Sequence, residues 1–222
     1  MGRPQGSRNA GYKAKRRALA ERVADAMLGQ PAQRPSLRDL ASCAQVSVST
    51  LRHYFEHREG VVEAAFEVLG GRAQPFLDRA GQPEHHEVGL AVRDFVDGLV
   101  DAWDRYAVAA LHTLGLTEGL EHAAVGPAYI RLLLEPTLGS AERLLLTLHR
   151  STPLRFPARV AAIALVAPVL SALQHQRALG GAQLRPLSVP AFIEAHVDAF
   201  CAGYFAAADG VSMGTTGPSI AD

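Results

Sequence analysis

Residues 48–58 bring together the side chains of this sequence that are best suited to binding a polyanion. The stretch opens with small residues and continues with guanidinium, imidazole and phenol groups that donate hydrogen bonds. This order suits a helix that enters a DNA major groove, where its first residues meet base edges and later donors reach phosphates. The candidate DNA-binding residues in this stretch are Val48, Ser49, Thr50, Arg52, His53, Tyr54 and Arg58.

The sequence contains few of the motifs that are typical of catalytic or metal-binding sites. The sequence has no Gly-rich phosphate loop, HExxH or GxSxG motif. His53 and His57 stand at i, i+4 without a third ligand nearby, and neither Cys43 nor Cys201 has a partner at zinc spacing. We therefore expect no catalytic residue, no metal and no cofactor, and a small helical enzyme is the alternative from another functional class.

The distribution of charge favours a nucleic-acid partner although the net charge of the 222 residues is zero. Residues 1–60 carry 11 Lys and Arg against 5 Asp and Glu, whereas the remainder carries 11 against 17. Both lysines and four arginines fall within the first 17 residues, without an acidic residue among them. A basic segment beside an acidic remainder is typical of a chain whose one end faces a polyanion.

Targeting signals are not evident in the sequence. The basic N-terminus lacks the apolar run of a signal peptide, and the longest apolar run, residues 160–170, is about half a bilayer span and contains Pro168. Two distant cysteines do not form a disulfide framework. We expect a cytoplasmic protein that has no contact with a membrane.

Short helices in the first 58 residues must position the candidate DNA-binding side chains. A helix from Lys13 to about residue 28 has an apolar face, Ser36 and Ser47 each stand where an N-cap is needed, and a further helix starts near Arg58 and ends at Gly70-Gly71. Two capped helices separated by about four residues have helix-turn-helix spacing. The residues expected to pack inward are Leu19, Val23, Met27, Leu37, Leu40, Ala44, Val46, Leu51 and Phe55.

The stretch from about Lys13 to Phe66 resembles the DNA-binding head of the TetR family of transcriptional regulators. The matching pattern is Ser36, Arg38, Leu40-Ala41, Ala44-x-Val46-Ser47-x-x-Thr50-Leu51-x-x-Tyr54-Phe55 and Arg58-Glu59. Three positions depart from the family pattern: Gln45 replaces a turn glycine, Arg52 replaces a tyrosine and Arg58 replaces a lysine. A left-handed glutamine costs about 1–2 kcal/mol more than glycine, which a packed head can tolerate.

The sequence pattern predicts an all-α protein of about nine helices, and the resemblance implies a three-helix head followed by a helical body that binds a ligand and dimerises. The predicted segments are a flexible basic arm (1–12), a helix-turn-helix domain (13–57), a ligand-binding and dimerisation domain (58–208) and a disordered tail (209–222). Double-stranded DNA with a palindromic operator is the implied partner. Arg38 is the candidate for a bidentate contact to guanine, and Val48 for apolar contact to a thymine methyl group.

The body offers a candidate pocket and a candidate dimer interface. An apolar stripe on one predicted helix could line a pocket or be ordinary core, and the resemblance favours the pocket: Phe95, Leu99, Trp103, Tyr106 and, one helix further, His112. The apolar faces of the last two long helices are wide enough to meet both their own body and a second chain. The candidate interface residues are Ala164, Ala167, Leu170, Ile193, Val197, Phe200 and Tyr204.

Two functional hypotheses follow from the resemblance. The first is a homodimeric repressor that a small apolar or aromatic ligand releases from its operator. The second is a DNA-binding regulator of the same architecture without a small-molecule effector, controlled by a protein partner or by its own level. A closed cavity in the body separates the two hypotheses.

Overall fold

The structure, a computed structural model, describes residues 5–29 and 35–206, and for residues 5–10 it describes the backbone alone. Nine long helices and one short helical turn account for nearly all of this part, which confirms the all-α expectation. The predicted tail and the first four residues of the predicted arm lie outside it. The helices are α1 (Gln5–Gly29), α2 (Leu37–Cys43), α3 (Val48–Phe55), α4 (Arg58–Ala80), α5 (Val88–Arg105), α6 (Val108–Glu121), α7 (125–149), α8 (Ala158–Ala178), α9 (Gly181–Leu184) and α10 (Val189–Tyr204).

The first three helices form a head around a small apolar core. Leu19, Val23 and Met27 on α1 are buried against Leu40, on α2, and Leu51, on α3. The spacing of the α1 residues at i, i+4 and i+8 places them on one face, as the sequence predicts. The helix itself begins at Gln5, eight residues before the predicted start, so the part of the predicted flexible arm that is described is helical.

The linking helix α4 does not end at Gly70-Gly71, which corrects the sequence prediction. It runs on to Ala80, and Gly70 lies inside the helix, where α4 packs closely on another helix. A Cβ atom at Gly70 would lie only 2.4 Å from the carbonyl oxygen of Leu132, on α7. Glycine is therefore the residue that lets α4 and α7 approach to this distance.

The close approach coincides with an irregular turn in α7. This helix consists of α-helical segments Val125–Tyr129 and Glu135–His149 joined by a π-helical turn, Ile130–Leu134. Pro136 has no N–H group for the carbonyl of Leu132, four residues earlier, and the Glu135 N–H bonds instead to the Ile130 carbonyl. Pro136 is thus accommodated by a widened turn inside a continuous helix.

Two apolar cores share the molecule. One continues from the head through α4 into α6 and the start of α7, where Leu114 and Tyr129 are buried. The other lies among α5, α7, α8 and α10. Within the described residues one helix, α8, is long and apolar enough to cross a membrane by length and composition, yet one side of it packs in this second core.

Candidate nucleic-acid interface

Serine N-caps stabilise the first turns of both helices of the helix-turn-helix. The Ser36 N–H donates to the Asp39 carboxylate (2.9 Å) and the Asp39 N–H to Ser36 Oγ (3.2 Å), so the predicted N-cap Ser36 forms a capping box with Asp39 at the start of α2. Hydrogen bonds from the Ser36 side chain and backbone hold the pKa of Asp39 below its ordinary value. At α3, Ser47 Oγ accepts the Thr50 N–H at 3.0 Å. Both helix starts are therefore fixed locally by the sequence.

The turn between α2 and α3 holds Gln45 in the left-handed region, with φ of 54°. A side chain with a Cβ atom pays a steric cost there that glycine avoids. Ala44 and Leu51, on either side of the turn, are fully buried and keep the two helices together. Packing of the head thus maintains a turn conformation that Gln45 by itself disfavours.

One face of α3 is open to solvent and carries donors. Ser49, Arg52 and His53 are exposed, whereas Leu51 and Phe55 point into the head core. Val48, Thr50 and Tyr54 are half-buried at the margin of this face. Arg38, on α2, is also exposed. We call Ser49, Arg52, His53 and Arg38 the donor face.

Tyr12, on α1, adds an aromatic contact to this face that the sequence analysis missed. Its ring lies 4.8 Å from the Tyr54 ring and its hydroxyl donates to the His53 carbonyl (3.3 Å). The guanidinium of Arg16, one turn later, lies over the Phe55 ring at 5.1 Å. The signal in the sequence is spacing, because Tyr12, Arg16 and Leu19 stand at i, i+4 and i+7 and extend one face of α1.

Arg58, predicted to contact DNA, lies apart from the donor face and has a partner inside the chain. Its guanidinium makes a two-point ion pair with the carboxylate of Glu118, on α6, at 2.7 and 2.5 Å. The Arg58 side chain is 15% exposed and the Glu118 side chain is fully buried. The hydrogen bonds from Glu118 hold the pKa of Arg58 above its ordinary value. We call this contact the Arg58–Glu118 pair.

The predicted pocket residues separate in the structure. Phe95 is buried in the body core and Leu99 packs against that core, whereas Tyr106 is 59% exposed beside Phe76. Trp103 lines a surface cavity that is open to solvent. That cavity has a volume of about 340 Å³, and its other lining residues are Asp104, Ala109, Ala110, Thr113, Arg177 and Ala178.

His112 is held in a polar cluster beside the cavity. Its Nδ1 shares a hydrogen bond with the Tyr129 hydroxyl, and its ring also bonds to Gln174. Burial lowers the pKa of His112 and raises that of Tyr129, because both charged forms lose water. The imidazole is therefore neutral near pH 7 and already has partners inside the chain.

The predicted interface residues divide between two sides of their helices. Ile193, Val197 and Phe200 on α10 are 2–3% exposed and lie in the body's own core. The exposed apolar face of α10 consists instead of small residues: Ala191, Ala195, Ala199 and Ala202. On α8, the predicted Ala167 is exposed and Ala164 and Leu170 are half-buried, next to exposed Val160 and Ile163. Tyr204 is half-buried against Phe200.

No protein-family model matches the chain, and no curated protein matches it in sequence. Solved structures match its fold. A candidate TetR-family transcriptional regulator from Mesorhizobium loti has a TM-score of 0.65 and 16% identity, with 88% of this chain and 98% of that chain covered. Salmonella enterica GusR has a TM-score of 0.61 and 18% identity, with 83% and 94% covered.

A third match is SmeT, the repressor of the Stenotrophomonas maltophilia multidrug efflux pump SmeDEF. Its TM-score is 0.54 at 18% identity, and 93% of this chain and 97% of that chain are covered. SmeT has also been solved as a complex with triclosan. The chain has the fold of TetR-family regulators, which confirms the resemblance seen in residues 13–66.

Proposed function

We propose that this protein is a sequence-specific DNA-binding transcription regulator. The observation that carries the proposal is the donor face: two capped helices stand at helix-turn-helix spacing, with Ser49, Arg52 and His53 exposed on one face of α3 and Arg38 exposed on α2. This arrangement suits a recognition helix in a major groove. We also propose that it acts in the cytoplasm and has no catalytic activity.

We propose a homodimer on the basis of the exposed apolar surface of α8 and α10. The mean hydropathy of the most apolar stretch of α8 is 1.4, but only 33% of that stretch is buried within one chain. Val160 and Ile163 are 49% and 43% exposed, and Ala195 and Ala199 on α10 are small enough for close helix contact. A second copy of the chain would cover this surface in a symmetric four-helix contact. Two heads in one dimer would read a palindromic operator with half-site centres about 34–36 Å apart.

We further propose that the protein is a repressor whose DNA affinity responds to a small apolar or aromatic ligand. The open cavity beside Trp103 offers an indole, three alanines and the Thr113 hydroxyl to such a ligand, and its lining also includes the Arg177–Asp104 ion pair. SmeT, which has the same fold, is solved with the aromatic compound triclosan. Helix α6 supplies Ala109, Ala110 and Thr113 to the cavity and Glu118 to the Arg58–Glu118 pair, so it connects the cavity with the linking helix.

A regulator without an effector is the second candidate, and particular contacts favour it. Phe95 and Leu99 pack in or against the core, and His112 already bonds to Tyr129 and Gln174. The cavity is therefore confined to one end of the predicted stripe. In this case DNA binding would depend on a protein partner or on the level of the protein itself.

Selection of bound sequences from random DNA tests the first step. The full chain should enrich a palindrome with two half-sites about one helical turn apart. Enrichment of no sequence over the starting pool would refute the DNA-binding proposal.

Titration of apolar compounds separates the two candidates, because Trp103 is the only tryptophan. A compound that changes Trp103 emission and releases the operator at the same concentration supports the ligand-responsive repressor. Ala110→Leu, which narrows the cavity, should weaken both responses while leaving DNA affinity unchanged. If a compound releases the operator from Ala110→Leu as readily as from the wild type, the ligand must bind elsewhere.

A further inference from the structure

The Arg58–Glu118 pair joins three parts of the chain at one point. Arg58 is the first residue of α4, and Glu118 lies in the last turn of α6 in the body. Arg58 Nε also donates to the Pro35 carbonyl (2.9 Å), directly before the Ser36 cap of α2. A single guanidinium therefore connects the linking helix, the body and the start of the helix-turn-helix.

Stability is a weak explanation for a pair in this position. Removing two charged groups from water costs several kcal/mol per ion, and apolar residues of similar size often stabilise a core equally well. Leu111, Leu114 and Glu118 stand at i, i+3 and i+7, so Glu118 lies on the face of α6 that otherwise places apolar residues toward the head core. A two-point pair differs from an apolar contact in being directional, because both nitrogens must face both carboxylate oxygens.

The other ion pairs between α4 and the body, among them Asp78 with Arg143 and Glu63 with Arg131, are more exposed. Glu63 accepts from Arg131 at 2.6 Å, but their side chains are 42% and 60% exposed. Exposed pairs contribute little and adapt easily to movement. The buried pair is thus the contact that can hold α4 and α6 at one fixed angle.

We infer that the Arg58–Glu118 pair is a positioning device for DNA binding, and this inference rests on the proposed function. It holds the head at one orientation relative to the body and so fixes the separation and rotation of the two recognition helices in the dimer. Without the pair, each head samples several orientations, and only a fraction of dimers fits two half-sites at once. A fall of that fraction to about one tenth raises the apparent Kd about tenfold.

The test uses the full-length double variant Arg58→Met with Glu118→Leu, which replaces the pair by apolar side chains of similar size. Arg58→Lys is the second variant, since it keeps the charge but cannot form the two-point contact. Glu63→Leu with Arg131→Met is the matched control, because it removes an exposed ion pair between α4 and the body. Circular dichroism and light scattering establish that each variant keeps its helix content and its assembly.

Binding is measured on the selected palindrome, on versions with one or two base pairs added or removed between the half-sites, and on a single half-site. We expect the wild type and the control to prefer one spacing. The double variant and Arg58→Lys should lose about tenfold in affinity at that spacing, differ by less than about twofold among spacings, and bind the single half-site as the wild type does.

An unchanged spacing preference in a folded double variant, or in Arg58→Lys if the double variant does not fold, would overturn the inference. Equal losses on the single half-site and on all palindromes would show a damaged head and would also overturn it. If the exposed-pair control also loses its preference for one half-site spacing, the whole contact between α4 and the body, and not the buried pair, positions the heads. Failure of the wild type to select any palindrome would instead overturn the proposed function, and the inference with it.

Discussion

Replacing Arg52 by alanine should weaken DNA binding most strongly at low salt. Arg52 is exposed on α3, and among the described residues its guanidinium has no hydrogen bond or ion pair. It is therefore available to a phosphate without first breaking an internal contact. Arg58, whose guanidinium is committed to Glu118 and Pro35, does not have this freedom.

The size of the effect follows from counterion release. Each neutralised phosphate contributes about 0.9 to the slope of log K against log salt concentration, so a dimer that loses two Arg52 contacts should lose about 1.8. Between 50 and 200 mM salt, a slope change of that size alters the ratio of wild-type to variant affinity about tenfold. The variant should therefore show its largest defect at the lower salt concentration.

Fluorescence anisotropy of a labelled operator across a salt series measures both slopes. Arg150→Ala, an exposed arginine after α7, is the matched control and should leave the slope unchanged. Arg38→Ala should instead cost about 1–3 kcal/mol and relax preference at one base pair, because a bidentate contact to guanine reads sequence. Parallel salt slopes for the wild type and Arg52→Ala would refute the phosphate role of Arg52.

Three further predictions concern stability and assembly. Gln45→Gly should raise the free energy of unfolding by about 0.5–1 kcal/mol, because relief of the left-handed φ exceeds the added chain entropy; chemical denaturation showing a loss would contradict this. Ile163→Glu, on the exposed side of α8, should give folded monomers in light scattering, whereas Phe200→Asp should unfold the body; an intact Ile163→Glu dimer would relocate the interface. Because burial lowers the pKa of His112 in the folded state, stability should fall as the pH drops below about 6.5, by up to about 1.4 kcal/mol per pH unit. The fall should be smaller in His112→Gln, and equal pH dependence of the two melting curves would refute that assignment.

The sequence is sufficient to predict the head because its signals are short-range. The faces of α1 and α3 follow from periodicity, and the Ser36–Asp39 box and the Ser47 cap involve groups within three residues of each other. The left-handed turn at Gln45 follows from the family pattern. The side on which Arg52 and His53 are exposed is fixed once Leu51 and Phe55 point inward.

The sequence cannot predict which groups meet across the fold. An arginine at the start of a helix can reach a phosphate or an internal carboxylate, and Glu118 stands 60 residues away from Arg58. His112 could equally have faced a cavity until its bonds to Tyr129 and Gln174 were known. In the sequence Gly70 indicates the end of a helix. In the structure α4 continues past Gly70, which lies against Leu132.

The face of α10 illustrates the same division. Periodicity shows that the helix is apolar over a wide arc. That arc contains two kinds of residue: the large Ile193, Val197 and Phe200, and the small Ala195 and Ala199. Only the packing of α10 on α5 and α8 decides that the large residues fill the body core and that the alanines remain outside. Periodicity and capping are properties of neighbouring residues, which the sequence determines, whereas burial and ion pairing depend on distant residues that only the tertiary structure brings together.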